Sequence, residues 1–302
     1  MTDPLIKETS AKSISADQSN ESGQLFVVAT PIGNLADITH RALDVLAKVD
    51  FILAEDTRHS KRLLNHYAIT SSLRACHEHN EEGQVEWVKS QLDQGLDLAL
   101  ISDAGTPLIS DPGFVLVRAL RADGYNVVTV PGASSIIAAL SISGLPTDGF
   151  VYDGFLPSKS SARKTALKRY INQTRTAVVL ESSHRIAASL EDIVEVLGAD
   201  RQIVVARELT KKFETVLAGQ ANQVLATVIA DEDQTRGEFV VMFGGVEEVA
   251  DLDAQVCSML NVLLQELPVK QAAGLVAKMT SMRKNDVYQH ALTIKQELRV
   301  EE

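Results

Sequence analysis

Short apolar runs alternate with stretches in which apolar residues recur every three or four positions along the first half of the chain. Leu25-Phe26-Val27-Val28-Ala29 reads as a first strand closed by Pro31 and Gly33, and Phe51-Ile52-Leu53-Ala54 as a second. Leu73 to Cys76 is a weaker third, Leu98 to Ile101 a fourth and Asn126 to Val130 a fifth. Helical spacing predicts helices over about Leu35–Ala47, Lys61–Tyr67, the Val85/Val88/Leu92 stretch, Phe114–Ala122 and Ser134–Ile142. Strands and helices alternating at this interval predict a mostly parallel sheet covered on both faces.

The pattern restarts after Ser143 to Gly149, which reads as a linker. Phe150–Tyr152, Thr176–Leu180, Gln202–Ala206, Glu214–Leu217 and Phe239–Phe243 form a second set of strands, with helices near Arg185–Leu197 and Gln220–Ala230. Intervals shorten after Val205, which predicts antiparallel pairing there. From Asp253 onward the periodicity is helical, and Pro268 is placed to start a second helix. The expected fold is therefore α/β: two α/β domains, the first sheet mostly parallel and the second mixed, plus a small helical carboxyl-terminal region. The expected boundaries are residues 24–145, 146–248 and 249–302, preceded by a disordered tail over 1–23.

Composition narrows the class. No apolar run approaches the roughly 20 residues that span a bilayer, and the Ser-, Lys- and Glu-rich amino terminus lacks the apolar segment of a signal peptide. Two cysteines, Cys76 and Cys257, fall in different expected domains, which fits a reducing cytoplasm and no disulfide framework. With 29 basic and 40 acidic residues the net charge is −11, so a polyanion partner requires a local basic patch. Between Gly154 and Leu180 there is no Asp or Glu, yet Lys159, Arg163, Lys164, Lys168, Arg169 and Arg175 lie there. Pairs 159/163 and 164/168 share helix sides, as a polyanion-binding face or an ordinary solvated one.

Candidate chemistry concentrates in loops at the carboxyl ends of strands, where open α/β sheets bind ligands. Ser102 to Gly113 is long and dense in Gly, Pro, Asp, Ser and Thr. Thr30–Asn34, Ala54–Arg58 and Pro131–Ser135 join it at the same sheet edge. Glycines there admit close backbone approach and prolines pre-set the turns, a design suited to a small ligand rich in hydrogen-bonding edges. Asp103, just beyond a buried strand, is placed to face a cationic or hydroxyl-bearing ligand or to cap a turn.

Several chemistries are disfavoured. No Gly-x-Gly-x-x-Gly follows the first strand, and there is no Walker A sequence. Gly132-Ala133-Ser134-Ser135-Ile136 lacks the second glycine of a nucleophile elbow. His77 and His79 would share a strand face and reach one ion, but no third ligand is visible nearby, and no metal is expected.

The segments Thr30-Pro31-Ile32-Gly33-Asn34-Leu35, Ala54 to Arg58, Ser102 to Gly113, Pro131 to Ser134, Gly154-Phe155-Leu156-Pro157, Arg207 to Lys211 and Gly237-Glu238-Phe239 resemble the tetrapyrrole methylase superfamily. Within it they look like the ribosomal RNA small subunit methyltransferase I branch, over roughly Gln24 to Val246, with Lys270 to Leu292 similar to that branch's carboxyl-terminal region. The resemblance implies S-adenosylmethionine as donor, a homodimer, and transfer to the ribose 2′-hydroxyl of a cytidine in 16S rRNA or the small ribosomal subunit.

Under that resemblance Asp103, Ala104, Gly105, Thr106 and Pro107 grip the donor, with Pro31 and Ser134 on neighbouring loops. Glu55, Asp56, Glu181 and Glu208 are unranked candidate bases or orienters. Arg58, Lys159, Arg163, Lys164, Lys168, Arg169 and Lys211 form the expected RNA-facing set, since a phosphate backbone explains uncompensated cations better than a small macrocycle does. The chain departs from the branch at Glu181-Ser182-Ser183-His184-Arg185, where Ser183 replaces a proline at a helix start. The rival readings are a methyltransferase of a corrin or porphyrin precursor and a catalytically silent RNA-binding protein of ribosome assembly.

Overall fold

The computed structural model describes residues 22–246, 254–280 and 282–300. The expected tail over 1–23 falls almost wholly outside the described residues, as do residues 247–253, where the expected helical region begins.

Five parallel strands form the first sheet: β1 (Leu25–Val28), β2 (Phe51–Ala54), β3 (Ser72–Ala75), β4 (Leu98–Ile101) and β5 (Val127–Val130), in the order β3-β2-β4-β1-β5. Side chains alternate between the two faces. Ile52, Ala54, Ala99 and Ile101 point to one layer with Ala42 and Leu46 of α1 (His40–Lys48) and Leu64 of α2 (Thr57–His66). Leu53, Leu98 and Leu100 point to the other, with Val88 and Leu92 of α3 (Glu81–Asp93) and Leu116 and Leu120 of α4 (Phe114–Ala122). Full burial of each Leu, Ile or Val among these is worth about 1.5–3 kcal/mol.

This segregation follows from handedness. Connections from β1 and β2 run one way along the sheet and those from β3 and β4 run the other, so right-handed crossovers place α1 and α2 on one face and α3 and α4 on the opposite face. The direction switches between β2 and β4, and a crevice opens beyond their carboxyl ends. The helix after β2 starts at Thr57, four residues before the apolar spacing predicts, because Asp56 caps it by accepting from the Arg58 amide at 2.8 Å.

The second sheet is mixed: β6 (Phe150–Phe155), β7 (Thr176–Ser182), β8 (Gln202–Arg207), β9 (Thr215–Gln220) and β10 (Glu238–Phe243), ordered β6-β7-β10-β8-β9. Only β6 and β7 pair in parallel; the expected antiparallel pairing is present from β8 onward. One face packs on α6 (Ser160–Leu167), α7 (Ile186–Leu197) and α8 (Ala221–Ala230). The other packs Val178, Val204, Ala206, Val240 and Met242 against Ile32 and against Ile136, Ala139 and Leu140 of α5 (Ser135–Ser143). Helix α5 and the loop after β1 thus join the two sheets in one compact unit.

A second unit comprises Asn172–Thr174 and Gly245–Glu302. Its helices α9 (Ala254–Glu266), α10 (Val269–Thr280) and α11 (Lys284–Val300) enclose their own core of Leu260, Ala272, Ala273, Val276, Val287 and Ala291. Pro268 stands immediately before α10, and its carbonyl accepts the amides of Gln271 and Ala272. No helix among the described residues is long and apolar enough to cross a membrane.

Candidate active site

Three strand-end loops are stitched together by backbone and side-chain bonds. Thr30, beyond β1, exchanges both amide bonds with Gly105 at 2.9 and 3.1 Å, and Thr106 Oγ1 donates to the Ala133 carbonyl at 3.1 Å. Thr30 Oγ1 adds a bond to the Ser102 carbonyl at 3.2 Å. Gly105 adopts φ +87°, a conformation glycine tolerates and other residues resist. Leu108 and Ser110 nevertheless sit at φ +72° and +68°, so the loop stores backbone strain where it borders the crevice.

Carboxylates gather at this edge. The Asp56 amide donates to Asp103 Oδ1 at 3.1 Å, tying the loop after β2 to the loop after β4. Burial, then repulsion from Asp103, raises the Glu55 carboxyl above its ordinary range. Burial, then repulsion from Glu55, pushes Asp111 up to about 6, although a hydrogen bond with Ser102 opposes the shift. Desolvated acids that repel one another destabilise a fold, and such arrangements concentrate at functional sites.

Two cavities meet here. One of about 430 Å³ is lined by Pro31, Gly33, His59, Arg62 and Ser102. The other, of about 680 Å³, is lined by Ile109, Ser110, Asp111, Phe155, Glu181 and Glu208. Ile32, Asp103, Ala104, Lys211 and Glu238 border both, so the two are lobes of one cleft between the sheets.

Lys211 is held at the junction, its Nζ 2.9 Å from Glu208 Oε1 and 3.1 Å from Glu238 Oε2. Burial opposes its charge, but the two carboxylates outweigh that and raise its proton affinity. Burial likewise works to raise the Glu208 carboxyl, yet the bonds from Lys211 and the Glu238 amide leave it lowered. Glu208 sits at φ +51° against Gly237, where a Cβ would lie 2.5 Å from the Glu208 side chain. Gly33 is needed for a similar reason: its Cβ would meet Lys211 Cγ at 2.4 Å.

The structure brings Pro31, Asp103, Ala104, Glu181, Glu208 and Lys211 to the cleft walls. Gly105 and Thr106 support that wall through the bonds above, and Pro107 lies in the same turn. Ser134 does not line either lobe; it precedes α5 and its carbonyl accepts the Ala138 amide, while neighbouring Ser135 faces the larger lobe. Glu55 acts on the cleft through the charges of Asp103 and Asp111.

Two expected bases are committed elsewhere. The Glu181 side chain is fully buried, paired with Arg185 at 2.7 Å and accepting from the Ser182 amide and Ser189 Oγ at 2.8 and 2.5 Å. It fastens the start of α7 to β7. Asp56 is capped onto α2 and paired with Arg58, whose hydrogen bonds hold the carboxyl below its ordinary range. Sequence reasoning passed over Asp111, although it carried the same signal as Asp103: an acid in the loop beyond a buried strand.

The basic segment is compensated from outside itself. Arg163 is 3% exposed and faces inward: its guanidinium pairs with Asp192 of α7 at 2.6 Å and donates to the carbonyls of Ser158 and Ala188. It is a brace, which corrects its expected place among RNA-facing residues. Lys164 pairs with Glu195 at 2.6 Å and lies 3.5 Å from Asp192, and Arg169 lies 3.7 Å from Asp153. Lys159 and Lys168 remain exposed, and Arg58 is 90% exposed beside Asp56. Periodicity along one segment could not show that α7 supplies the countercharge.

The His77 and His79 rings stand 6.1 Å apart, edge to face. Among the described residues no group of three or more His, Cys, Asp or Glu is arranged to hold a metal ion.

Residues 24–225 match the family described as Tetrapyrrole (Corrin/Porphyrin) Methylases, and residues 250–295 match the RsmI C-terminal HTH domain. Among similar proteins, "Ribosomal RNA small subunit methyltransferase I" of Escherichia coli O157:H7 is 50% identical over 90% of this chain and 96% of its own length. The Pseudomonas aeruginosa PAO1 protein of the same name is also 50% identical, over 89% and 97%. Among solved structures, the methyltransferase CobJ superposes with a TM-score of 0.56 at 18% identity, covering 74% of this chain and 95% of that one. Uroporphyrin-III C-methyl transferase from Thermus thermophilus, complexed with S-adenyl homocysteine, gives 0.51 at 17%, covering 74% and 97%. At such identities these structures share the fold.

Proposed function

The chain belongs to the tetrapyrrole (corrin/porphyrin) methylases, and we propose that it transfers a methyl group from S-adenosylmethionine to the ribose 2′-hydroxyl of a cytidine in 16S rRNA. The observation that carries this reading is the bilobed cleft walled by the Thr30/Gly105/Thr106 stitch and by the acids Asp103 and Asp111, for which no ion pair with a cation is seen among the described residues. Relatives at 46–50% identity carry ribosomal RNA names, whereas corrin and porphyrin methyltransferases appear at 16–19%, which favours RNA over a macrocycle as acceptor.

The residues fit the donor. A sulfonium, an ammonium and ribose hydroxyls all suit desolvated carboxylates, and a cleft wall with Ile32, Ala104 and Leu209 suits an apolar ring. When bound, S-adenosylmethionine supplies an electrophilic methyl group. Pro31, Asp103, Ala104, Gly105, Thr106 and Pro107 hold and orient it, and Ser134 supports the loop beside them. Alignment in a closed cleft accounts for much of the rate, up to about 7–11 kcal/mol of barrier in favourable cases.

A ribose hydroxyl is a weak nucleophile and gains from a proton acceptor. Asp111 takes that role: it lines the larger lobe, and a carboxylate tuned to about 6 is both ionised and basic near neutrality. Burial, and after it repulsion from Glu55, maintains that tuning. Lys211 Nζ gives two of its three N–H groups to Glu208 and Glu238 and keeps the third as a fixed hydrogen-bond donor for the acceptor strand, while the exposed Lys159 and Lys168, with Arg58 and Arg169 beside their partner acids, supply the attraction to phosphate.

The proposal includes a homodimer working in the cytoplasm, with sheet domains over 24–145 and 146–248. Exposed Phe114 and Ile137 supply apolar surface for self-association, which sedimentation would measure. The function is tested by donor calorimetry and by methyl incorporation into 16S rRNA with wild-type and Asp103→Ala protein.

A further inference from the structure

The cations of the α6 segment are largely neutralised by α7 and β6, whereas among the described residues Lys270, Lys278 and Lys284 of the carboxyl-terminal unit have no carboxylate partner. A groove of about 570 Å³ along α10 and the start of α11 is lined by Lys270, Lys278 and Lys284 together with Gln271, Gly274 and Leu275. No carboxylate lines it, and among the described residues none pairs with these three lysines. All three are exposed.

Helical spacing builds the groove. On α10, positions 270 and 271 lie three or four residues from 274, and 274 lies four from 278, so they form one stripe, with Leu267 just before the helix. Gly274 stands mid-stripe, where a Cβ would lie 3.7 Å from Lys284 Cε, so the lysine stem from α11 lies across it. The opposite side of α10 is committed to the core through Ala272, Ala273 and Val276, which fixes the stripe outward. In a chain of net charge −11, three ammonium groups on one groove, none paired with a carboxylate among the described residues, are a concentrated exception.

We propose that this groove binds the phosphate backbone of the ribosomal RNA, and that it supplies RNA affinity separately from the methyl-transfer cleft. The inference rests on the proposed RNA acceptor. Its chemistry is charge neutralisation: each ammonium displaces condensed counterions from the strand, which makes binding steeply salt-dependent and indifferent to sequence.

The test compares the full chain with a Lys270→Gln/Lys278→Gln/Lys284→Gln variant and a Lys270→Arg/Lys278→Arg/Lys284→Arg control. Binding to deproteinised 16S rRNA is titrated at several salt concentrations, alongside donor calorimetry and methyl incorporation. The glutamine variant is expected to lower the slope of log affinity against log salt by about 2 to 3, and to weaken binding about a hundredfold near 0.1 M salt. The arginine control is expected to keep the wild-type slope, and donor affinity to stay unchanged in both. An unchanged slope in a glutamine variant with normal donor binding overturns the inference, as does weakened binding to whole small subunits with unaltered binding to naked rRNA, which would assign the groove to a ribosomal protein. Absence of rRNA methylation by the wild-type protein would instead overturn the acceptor reading.

Discussion

The backbone amide of Asp56 donates to Oδ1 of Asp103 at 3.1 Å across the point where the first sheet's connections reverse direction. One carboxylate oxygen thereby fixes the loop after β2 against the loop after β4, and the other remains for a ligand in the cleft it borders. Asp103→Ala is expected to weaken S-adenosylmethionine binding about 10- to 100-fold, the worth of a hydrogen bond to a charged group. Calorimetry at constant pH measures it; unchanged affinity would remove Asp103 from the donor site.

Asp111 predicts a pH dependence. Its folded proton affinity is raised to about 6 from 3.8, so its ionisation destabilises the fold: the penalty is absent below about 4 and complete above about 6. Asp111→Asn is therefore expected to raise the melting temperature at pH 8 relative to wild type and to give no such gain at pH 4. As proton acceptor, Asp111 must be ionised, so wild-type kcat/KM is expected to rise through about pH 6. The variant is expected to lose about 10²- to 10⁴-fold in kcat with donor affinity retained. A variant with wild-type kcat and the same pH profile would exclude the role.

Arg163 and Asp192 form a buried pair, so removing one partner strands the other. Arg163→Ala is expected to destabilise the protein by about 3–5 kcal/mol in urea unfolding. Lys168→Gln, on an exposed side chain of the same segment, is expected to change stability by no more than about 0.5 kcal/mol. Equal, small effects would show that Arg163 is not a brace.

Gly237 gives a steric test. An alanine there forces its Cβ to 2.5 Å from Glu208 at φ +103°, so Gly237→Ala is expected to displace Glu208 and release Lys211. The predicted readout is a raised KM for RNA with lesser change in donor affinity. An unaltered KM would show that the Glu208–Lys211 contact does not position the acceptor.

The alternation of strands and helices was legible because each buried strand is a continuous apolar run and each helix carries a one-sided stripe. Ile52 and Leu53 face opposite layers, yet both must be apolar in a doubly covered sheet. The loop at Asp103 was legible for the same reason, being where an apolar run stops at a dense cluster of turn residues. Pairwise chemistry was not. Nothing local to Arg163 reveals Asp192, 29 positions on, and nothing local to Glu181 shows that Ser189 and Arg185 consume its oxygens. Asp111 was not singled out because Glu55, the acid that repels it most, is brought beside its loop by the pairing of β2 with β4, which a single sequence does not display.

The most direct test of the central claim is mass-spectrometric mapping of ribose methylation in 16S rRNA or small subunits incubated with S-adenosylmethionine and either wild-type, Asp103→Ala or Asp111→Asn protein. The prediction is one added methyl on a cytidine 2′-oxygen with the wild type, strongly diminished with each variant. No added methyl with the wild type, or full methylation with both variants, would contradict it.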